Sequence, residues 1–451
     1  MRDIISLFNK TILFIKKENV LKYLKNTSWQ VGDKIIRMIV SLLVNVFVNR
    51  YLGPENYGIL NYIASLLTLF FSFCNLGLDE ILIKELVNKK DQLRILIGTS
   101  FYLRLFSSII SFILVVISFF IFKNEENIKL YIVLMALPMI LQSYSIVDLY
   151  FQSEVKSHIS IKVSLVSLFI GSILRLFFVY FQLPLIFYIY IGILETVISI
   201  SGLIYSFNKV TNISFFKLKY NYKIAKELLS ESWPLIFASI VVLLYMRIDQ
   251  IMIKEMLNFK ELGVFSSSLR IIELWYFIPM TIGASLFPAL INAKSISNEL
   301  FEKRLQILFN VMILISVVIS IFVSFFSDII ILFLYGRDFI EASNVLKIQI
   351  WSSVFVFIGV ASSKWFIING HTKLSLVRTL YGVVINICLN FLLIPKYGII
   401  GAAISTLITQ FFVSFLSDII NKHTRQLFYM KCKAFNLFSS IKSLKSIKDV
   451  I

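Results

Sequence analysis

The sequence predicts an all-α membrane protein: about twelve transmembrane helices, in two six-helix lobes around a central cavity. Three observations carry this. Of 451 residues, 58% are hydrophobic and only 16% charged, with mean hydropathy +0.84; a soluble globule is about 45–50% apolar and about 25% charged. About twelve apolar runs are each long enough to cross ~30 Å of hydrocarbon. The connections between those runs are alternately rich and poor in Lys and Arg.

The runs fall at 30–52, 58–79, 99–122, 129–151, 160–181, 184–207, 230–254, 264–290, 305–326, 344–368, 373–394 and 398–420. Ahead of them, residues 1–28 alternate apolar and basic positions at helical spacing. No long apolar core or small-residue cleavage site marks a signal peptide there. The stretch reads as an amphipathic leader lying in the membrane interface.

One set of connections carries roughly three times the Lys and Arg of the other. It comprises the leader, "KELVNKKDQLR", "NKVTNISFFKLKYNYKIAKE", "NAKSISNELFEKR" and the tail from 422. The other set is short, as in "RYLGPENYG", "QLP" and "IPKYG". Basic loops stay in the cytoplasm, so both termini are expected there, in keeping with an even span count. The longest basic connection, 208–228, divides the chain. The expected organisation is a leader 1–28, a first six-helix lobe 29–207, a cytoplasmic linker 208–228, a second six-helix lobe 229–421 and a basic tail 422–451.

Internal similarity supports the division. "VNRYLGPENYGILNYIASL" (48–66) aligns with "IKEMLNFKELGVFSSSLRI" (253–271), setting Gly58 opposite Gly263. "LYFQSEVKSHISI" (149–161) echoes "KWFIINGHTKLSL" (364–376), with Lys156 set opposite Lys373. Both halves run in the same direction, as parallel repeats about an axis along the membrane normal do.

The net charge of +18 follows the connections, so it reads as topology and attraction to anionic lipid headgroups rather than nucleic-acid binding. Cys74, Cys388 and Cys432 are too scattered for a disulfide framework or a thiolate metal site. His158, His371 and His423 lie in polar stretches near helix ends, as solvated loop residues, and form no metal-binding cluster.

Inside the spans the polar residues are patterned. Asp33, Arg37, Ser41 and Asn45 recur every fourth residue, as do Arg378, Gly382, Asn386 and Asn390; Ser164, Ser167, Gly171 and Arg175 follow the same rule. At 100° per residue each set occupies one arc of its helix. Small and amide residues at such positions can glue helices together; charges inside a bilayer favour a water-filled cavity. The intramembrane charges are mostly cationic: Arg37, Arg175, Arg247, Arg270, Lys364 and Arg378. Against them stand Asp33, Asp148, Glu195, Asp249 and Glu273. Arg270 and Glu273, three apart, form an expected ion pair. Arg247 and Asp249 point about 200° apart, so each needs its own partner. Because Arg grips phosphate oxygens with a planar fork, these cations suit an anionic, phosphate-bearing cargo.

The elements "LLYMRIDQIMIKEMLNFKELGVFSSSLRIIELWYFIPMTIGASLFPAL" (243–290) and "RYLGPENYGILNY" (50–62) resemble the Wzx-type O-antigen and capsule repeat-unit flippases. These form the polysaccharide-transport branch of the multidrug/oligosaccharidyl-lipid/polysaccharide exporter superfamily. The resemblance spans roughly 25–425. It implies a non-enzymatic flippase of a bacterial cytoplasmic (inner) membrane. The cargo would be an undecaprenyl-pyrophosphate-linked oligosaccharide, moved to the outer leaflet by alternating access, with membrane lipids and other polysaccharide-assembly proteins as partners and no cofactor. It places Arg247 and Asp249 in the recurring "RIDQ" element and Arg270 in the following "R..E" element. Patterning adds Arg37, Arg175, Lys364 and Arg378 as substrate-binding cations. Asp33, Asp249, Glu273 and Asn386 are the polar positions for H+ or Na+ coupling, which is suggested for some relatives; no acidic residue sits in a motif diagnostic of a cation site. The alternative is a cation-coupled multidrug or small-molecule exporter of the same superfamily. A polysaccharide polymerase or acyltransferase is disfavoured, because the outer loops are short and no span holds a histidine.

Overall fold

A computed structural model of the chain describes residues 18–120 and 125–436, and every regular element among them is helical. Nine of these helices are long and apolar enough to cross a membrane, or ten if the bent pair Ala342–Gln349 and Ser352–Ile368 is one span. This is a multi-pass all-α membrane protein. Phe106, Ile173, Phe325 and Phe391 stand well exposed on its helices. A soluble protein rarely displays so much apolar surface, whereas lipid tails solvate it without cost.

Two expected pairs of spans each fall within one element. The first pair lies in Glu18–Asn75, of 58 residues; as a straight helix that would be ~87 Å long, far beyond one crossing. It breaks at Gly53 (φ 69, ψ 175), with Pro54 restarting the helix without an N–H to satisfy. The last pair, within Thr372–Ser414, breaks at Gly398 (φ 59, ψ −141), three residues after Pro395. Of the expected leader, 1–17 lies outside the described residues. Its remainder, 18–28, is the beginning of the Glu18–Asn75 helix and not a separate element. Of the expected tail, 437–451 likewise lies outside.

The chain divides into two compact units. The first runs to Tyr51 and resumes over Leu67–Ile240; the second takes Leu52–Leu66 and everything from Val241. The boundary therefore differs from the one read at 208–228. Residues 208–228 are packed, not a tether. Asn212, in the left-handed conformation, ends the Leu185–Thr211 helix, and Phe215 is buried in the first unit's core with Phe101 and Phe207. The Lys219 N–H donates to Arg94 O (3.3 Å) and the Asn221 N–H to the Thr99 hydroxyl (3.0 Å). The second unit's core gathers Phe301, Phe309, Met312, Phe357 and Phe366.

The internal similarity corresponds to backbone geometry. At the end of Ile146–Ser153, Glu154, Val155 and Lys156 donate to Tyr150 O, Gln152 O and Phe151 O at 3.1, 3.0 and 2.7 Å. At the end of Ser352–Ile368, Asn369, Gly370 and His371 donate to Trp365 O, Ile367 O and Phe366 O at 3.0, 3.2 and 2.8 Å. Both turns use a left-handed residue, Val155 (φ 57) and Gly370 (φ 72), to close the helix carbonyls. This register sets Lys156 opposite His371, two residues from the pairing with Lys373 that the side chains suggested. His371 itself stacks on Trp365 (ring centroids 5.5 Å) and lies 5.3 Å from His423.

A short amphipathic helix, Arg425–Phe435, packs on the second unit through Leu427, Met430, Lys431 and Ala434. Lys431 is fully buried. Its Nζ donates to Ser414 O (2.7 Å) and to the Asp418 carboxylate, whose other oxygen faces Arg378 Nη1 at 3.8 Å. Two buried cations thus share one carboxylate. Burial pulls the Lys431 ammonium down to about 8 against the opposing pull of Asp418. The undocked helix regains the ordinary value of 10.5, so between pH 8 and 10.5 the undocked state holds the extra proton. Docking should therefore strengthen as pH rises through that window, by about 3 kcal/mol in all. The thermal midpoint of the wild type should gain on that of Lys431→Met between pH 7.5 and 9.5. A constant difference would refute this.

Candidate transport site

The first unit encloses a cavity of about 530 Å³. The whole stripe Asp33, Arg37, Ser41 and Asn45 lines it, facing Ser164, Ser167 and Arg175. Gln142, Ser145, Ser160, Thr196 and Ser199 add hydroxyl and amide groups to the wall, and Val44, Ile161, Leu168, Ile200 and Leu203 add apolar surface. Polar stripes from two helices thus converge on one cavity.

The guanidinium groups there are paired. Arg37 Nε donates to both Asp33 oxygens (2.9 and 3.0 Å), and its Nη2 to the Ser164 hydroxyl. Arg175 makes a two-pronged pair with Glu195, 2.6 and 2.7 Å. Ser167 donates to the Glu195 carbonyl (2.6 Å). A Cβ on Gly171 would fall on the Glu195 carboxylate, so the glycine in that stripe is room for this acid. Desolvated ion pairs position side chains more than they stabilise. The expectation of a predominantly cationic cavity needs correction here: three carboxylates (Asp33, Asp148, Glu195) line it against two arginines.

In the second unit a cavity of about 360 Å³ has an apolar wall, with Val242, Met246, Met280 and Val360, and a few polar groups, Asp249, Glu273, Asn386 and Thr406 among them. Arg247 and Arg270 share one acid: Arg247 Nη1 is 3.2 Å from Glu273 Oε1 and Arg270 Nη1 is 3.9 Å from Oε2. Arg270 keeps 43% of its side chain exposed. Lys364 has no carboxylate within salt-bridge distance among the described residues; its Nζ lies 5.1 Å from the Phe287 ring centroid, an arrangement a cation accepts readily. None of these three cations is among the residues that line the cavity, whose carboxylates are Asp249 and Glu273, so the expectation that Arg247, Arg270 and Lys364 line it needs correction.

Asp249 is buried, only 7% exposed. It accepts from Asn390 Nδ2 (2.5 Å) and from the Thr406 hydroxyl (2.7 Å), and no Lys or Arg among the described residues pairs with it. Asn390 Nδ2 also donates to Asn386 Oδ1 (3.1 Å), while its own Oδ1 is buried without a donor. Two neutral donors thus face a carboxylate that no cation among the described residues answers, with Asn386 one hydrogen bond beyond. Arg378, expected among the cavity cations, is not in this wall. It is largely buried over the Phe366 ring (4.8 Å), facing Asp418.

Sequence reasoning missed Arg104, the largest fully buried side chain of the first unit. It pairs with Asp79 and donates to the Ser145 hydroxyl (3.3 Å). Its signal was present: Ser100, Ser107, Ser108 and Ser111 flank it at helical spacing in "TSFYLRLFSSIISF". Asn390 was read as part of a stripe and not as a partner of Asp249. Thr406, one hydroxyl in an apolar run, gave no signal.

A family model described as polysaccharide biosynthesis protein matches residues 23–294, well over half of the chain. The chain belongs to the polysaccharide biosynthesis protein family. The resemblance to Wzx-type flippases had placed it there. A second model, MatE, matches residues 234–392. Among relatives of this family, the chain is 25% identical to the capsular polysaccharide biosynthesis protein CapF of Staphylococcus aureus, over 86% of this chain and 96% of the relative. It is 22% identical to a putative O-antigen transporter of Shigella flexneri, covering 85% and 94%. In fold it is similar to the lipid II flippase MurJ in an inward closed conformation, with TM-score 0.64 at 16% identity, covering 94% of this chain and 97% of that one.

Proposed function

We propose that this protein is a flippase for a lipid-linked oligosaccharide, carrying a surface-polysaccharide repeat unit such as an O-antigen or capsule unit across the bacterial inner membrane. The observation that carries this reading is the first-unit cavity: a space of about 530 Å³, within the roughly 300–1,000 Å³ of ligand sites, walled by hydroxyls, amides and paired charges inside a membrane protein. The hydroxyls and amides of this wall match the many donors and acceptors of a sugar. The cargo is an undecaprenyl-pyrophosphate-linked oligosaccharide moved by alternating access, with both termini cytoplasmic and about twelve spans, counting the elements broken at Gly53 and Gly398 as two each. The names of the relatives, a capsular polysaccharide biosynthesis protein and an O-antigen transporter, support transport rather than catalysis.

The diphosphate falls to cations of the second unit: Arg247 and Arg270 beside Glu273, and Lys364 over Phe287. Asp249 with Asn386, Asn390 and Thr406 takes the H+ or Na+ that drives the cycle. The MatE match and the apolar second cavity favour one competing reading, an exporter of amphiphilic small molecules. Proteoliposomes holding a fluorescent polyprenyl-diphosphate oligosaccharide separate the two. Loss of a charge-assisted phosphate bond should slow translocation about tenfold or more in Arg270→Gln and in Lys364→Gln. Export of cationic dyes without movement of the glycolipid would overturn the flippase.

A further inference from the structure

We infer that the first-unit cavity is built for a sugar carrying a protonated amine, and that Asp148 is the residue that selects it. This rests on the flippase reading and narrows its substrate class to repeat units with a free amino group.

The argument is a charge inventory of one cavity. Its lining holds five ionisable side chains. Arg37 is answered by Asp33 and Arg175 by Glu195, which leaves Asp148. That carboxylate accepts one hydrogen bond, from Gln152 Nε2 (2.8 Å), a neutral donor one turn on along its own helix. No Lys or Arg nitrogen among the described residues lies within salt-bridge distance of it. The buried guanidinium of Arg104 donates to Ser145 of the cavity wall and is already committed to Asp79. The cavity therefore presents one carboxylate, half-buried in the first turn of Ile146–Ser153, that no Lys or Arg among the described residues pairs with and that is open to a cation brought by the cargo.

The shape of the surroundings says which kind. A dehydrated metal ion needs a closed cage of several oxygens at fixed distance, and about 530 Å³ around one unpaired carboxylate is far larger. An organic ammonium brings its own bulk. The rest of its ring would meet Ser145, Ser160, Ser164 and Thr196, which line the same wall and both give and accept hydrogen bonds. An acidic sugar would instead add a second unpaired negative charge to a cavity whose cations are taken.

The test uses proteoliposomes of the full chain and two synthetic polyprenyl-diphosphate disaccharides, identical except that one carries a free amine and the other its N-acetyl form. The readout is the ratio of their translocation rates at pH 7. The wild type should favour the amine about tenfold, the worth of one charge-assisted hydrogen bond. Asp148→Asn should bring the ratio near one, and Asp148→Glu should restore a preference that a merely structural role would not. A wild-type ratio of one overturns the inference while leaving the flippase standing; movement of neither probe overturns the flippase itself. A ratio unchanged in Asp148→Asn, with stimulation by an ion gradient lost, would assign the carboxylate to the driving cation and overturn the inference as well.

Discussion

Gly58→Ala and Gly263→Ala should each destabilise the second unit by about 3 kcal/mol or more, at or above the top of the usual ~1–3 kcal/mol range for overpacking. The two glycines meet. A Cβ built on Gly58 would overlap the Phe259 carbonyl, and one built on Gly263 would overlap the Pro54 carbonyl; each lies 3.0 Å from the other glycine's backbone nitrogen. The obstacle is backbone in both cases, so no side chain can turn aside. The helix restarting at Pro54 and the helix Phe259–Trp275 would have to separate, with cost to the bonds that tie them, Ser65 to Gln250 (2.5 Å) and Tyr62 to Glu255 (2.9 Å). Thermal unfolding in detergent reads the loss. Once the first methyl has forced the helices apart the second fits the same gap, so the double variant should cost little more than either single one. Wild-type midpoints in both single variants would show that the two backbones part here at little cost.

This crossing shows how far the sequence could be read. Aligning 48–66 with 253–271 set Gly58 opposite Gly263 without saying that the two touch, because alignment reports equivalence and contact needs coordinates. The stripe Asp33, Arg37, Ser41 and Asn45 was legible for a simpler reason: helical periodicity fixes which side chains share a face, and a polar face within lipid must meet water or protein. Periodicity is silent on partners. Glu195 was visible as an isolated acid and Glu273 as the partner of Arg270, yet their pairing with Arg175 and Arg247 depends on which helices pack side by side. Helix identity was clear from composition; the division into units was not. The long basic stretch 208–228 has the composition of a linker, while Phe215 and the Lys219 and Asn221 backbone bonds tie it to the first unit.

Asp249→Asn should remove the response of this protein to its driving cation while leaving its shape intact. Asparagine keeps the volume and can still meet Thr406, so the change deletes one charge and little else. In the wild type that charge accepts from the Asn390 amide and the Thr406 hydroxyl, with the Asn386 Oδ1 bonded to the same amide and the Asn390 Oδ1 lacking any donor. Oxygen ligands of this kind suit a hard cation, and binding one stabilises the folded state by about 2.7 kcal/mol at a hundredfold excess over Kd. Replacing choline chloride by sodium chloride at constant pH should therefore raise the thermal midpoint of the wild type and not that of Asp249→Asn, if sodium is the ion. A proton-driven cycle would instead show gradient-stimulated transport on acidifying one side of the vesicle. Coupling energies of ordinary size give a stimulation of about 5–150-fold, which the variant should lose. Reciprocity supplies an internal check: a cation that tightens glycolipid binding must itself be bound more tightly when glycolipid is present. Asp249→Asn responding to both ions as the wild type does would leave Asp249 a structural acceptor for Asn390 and Thr406.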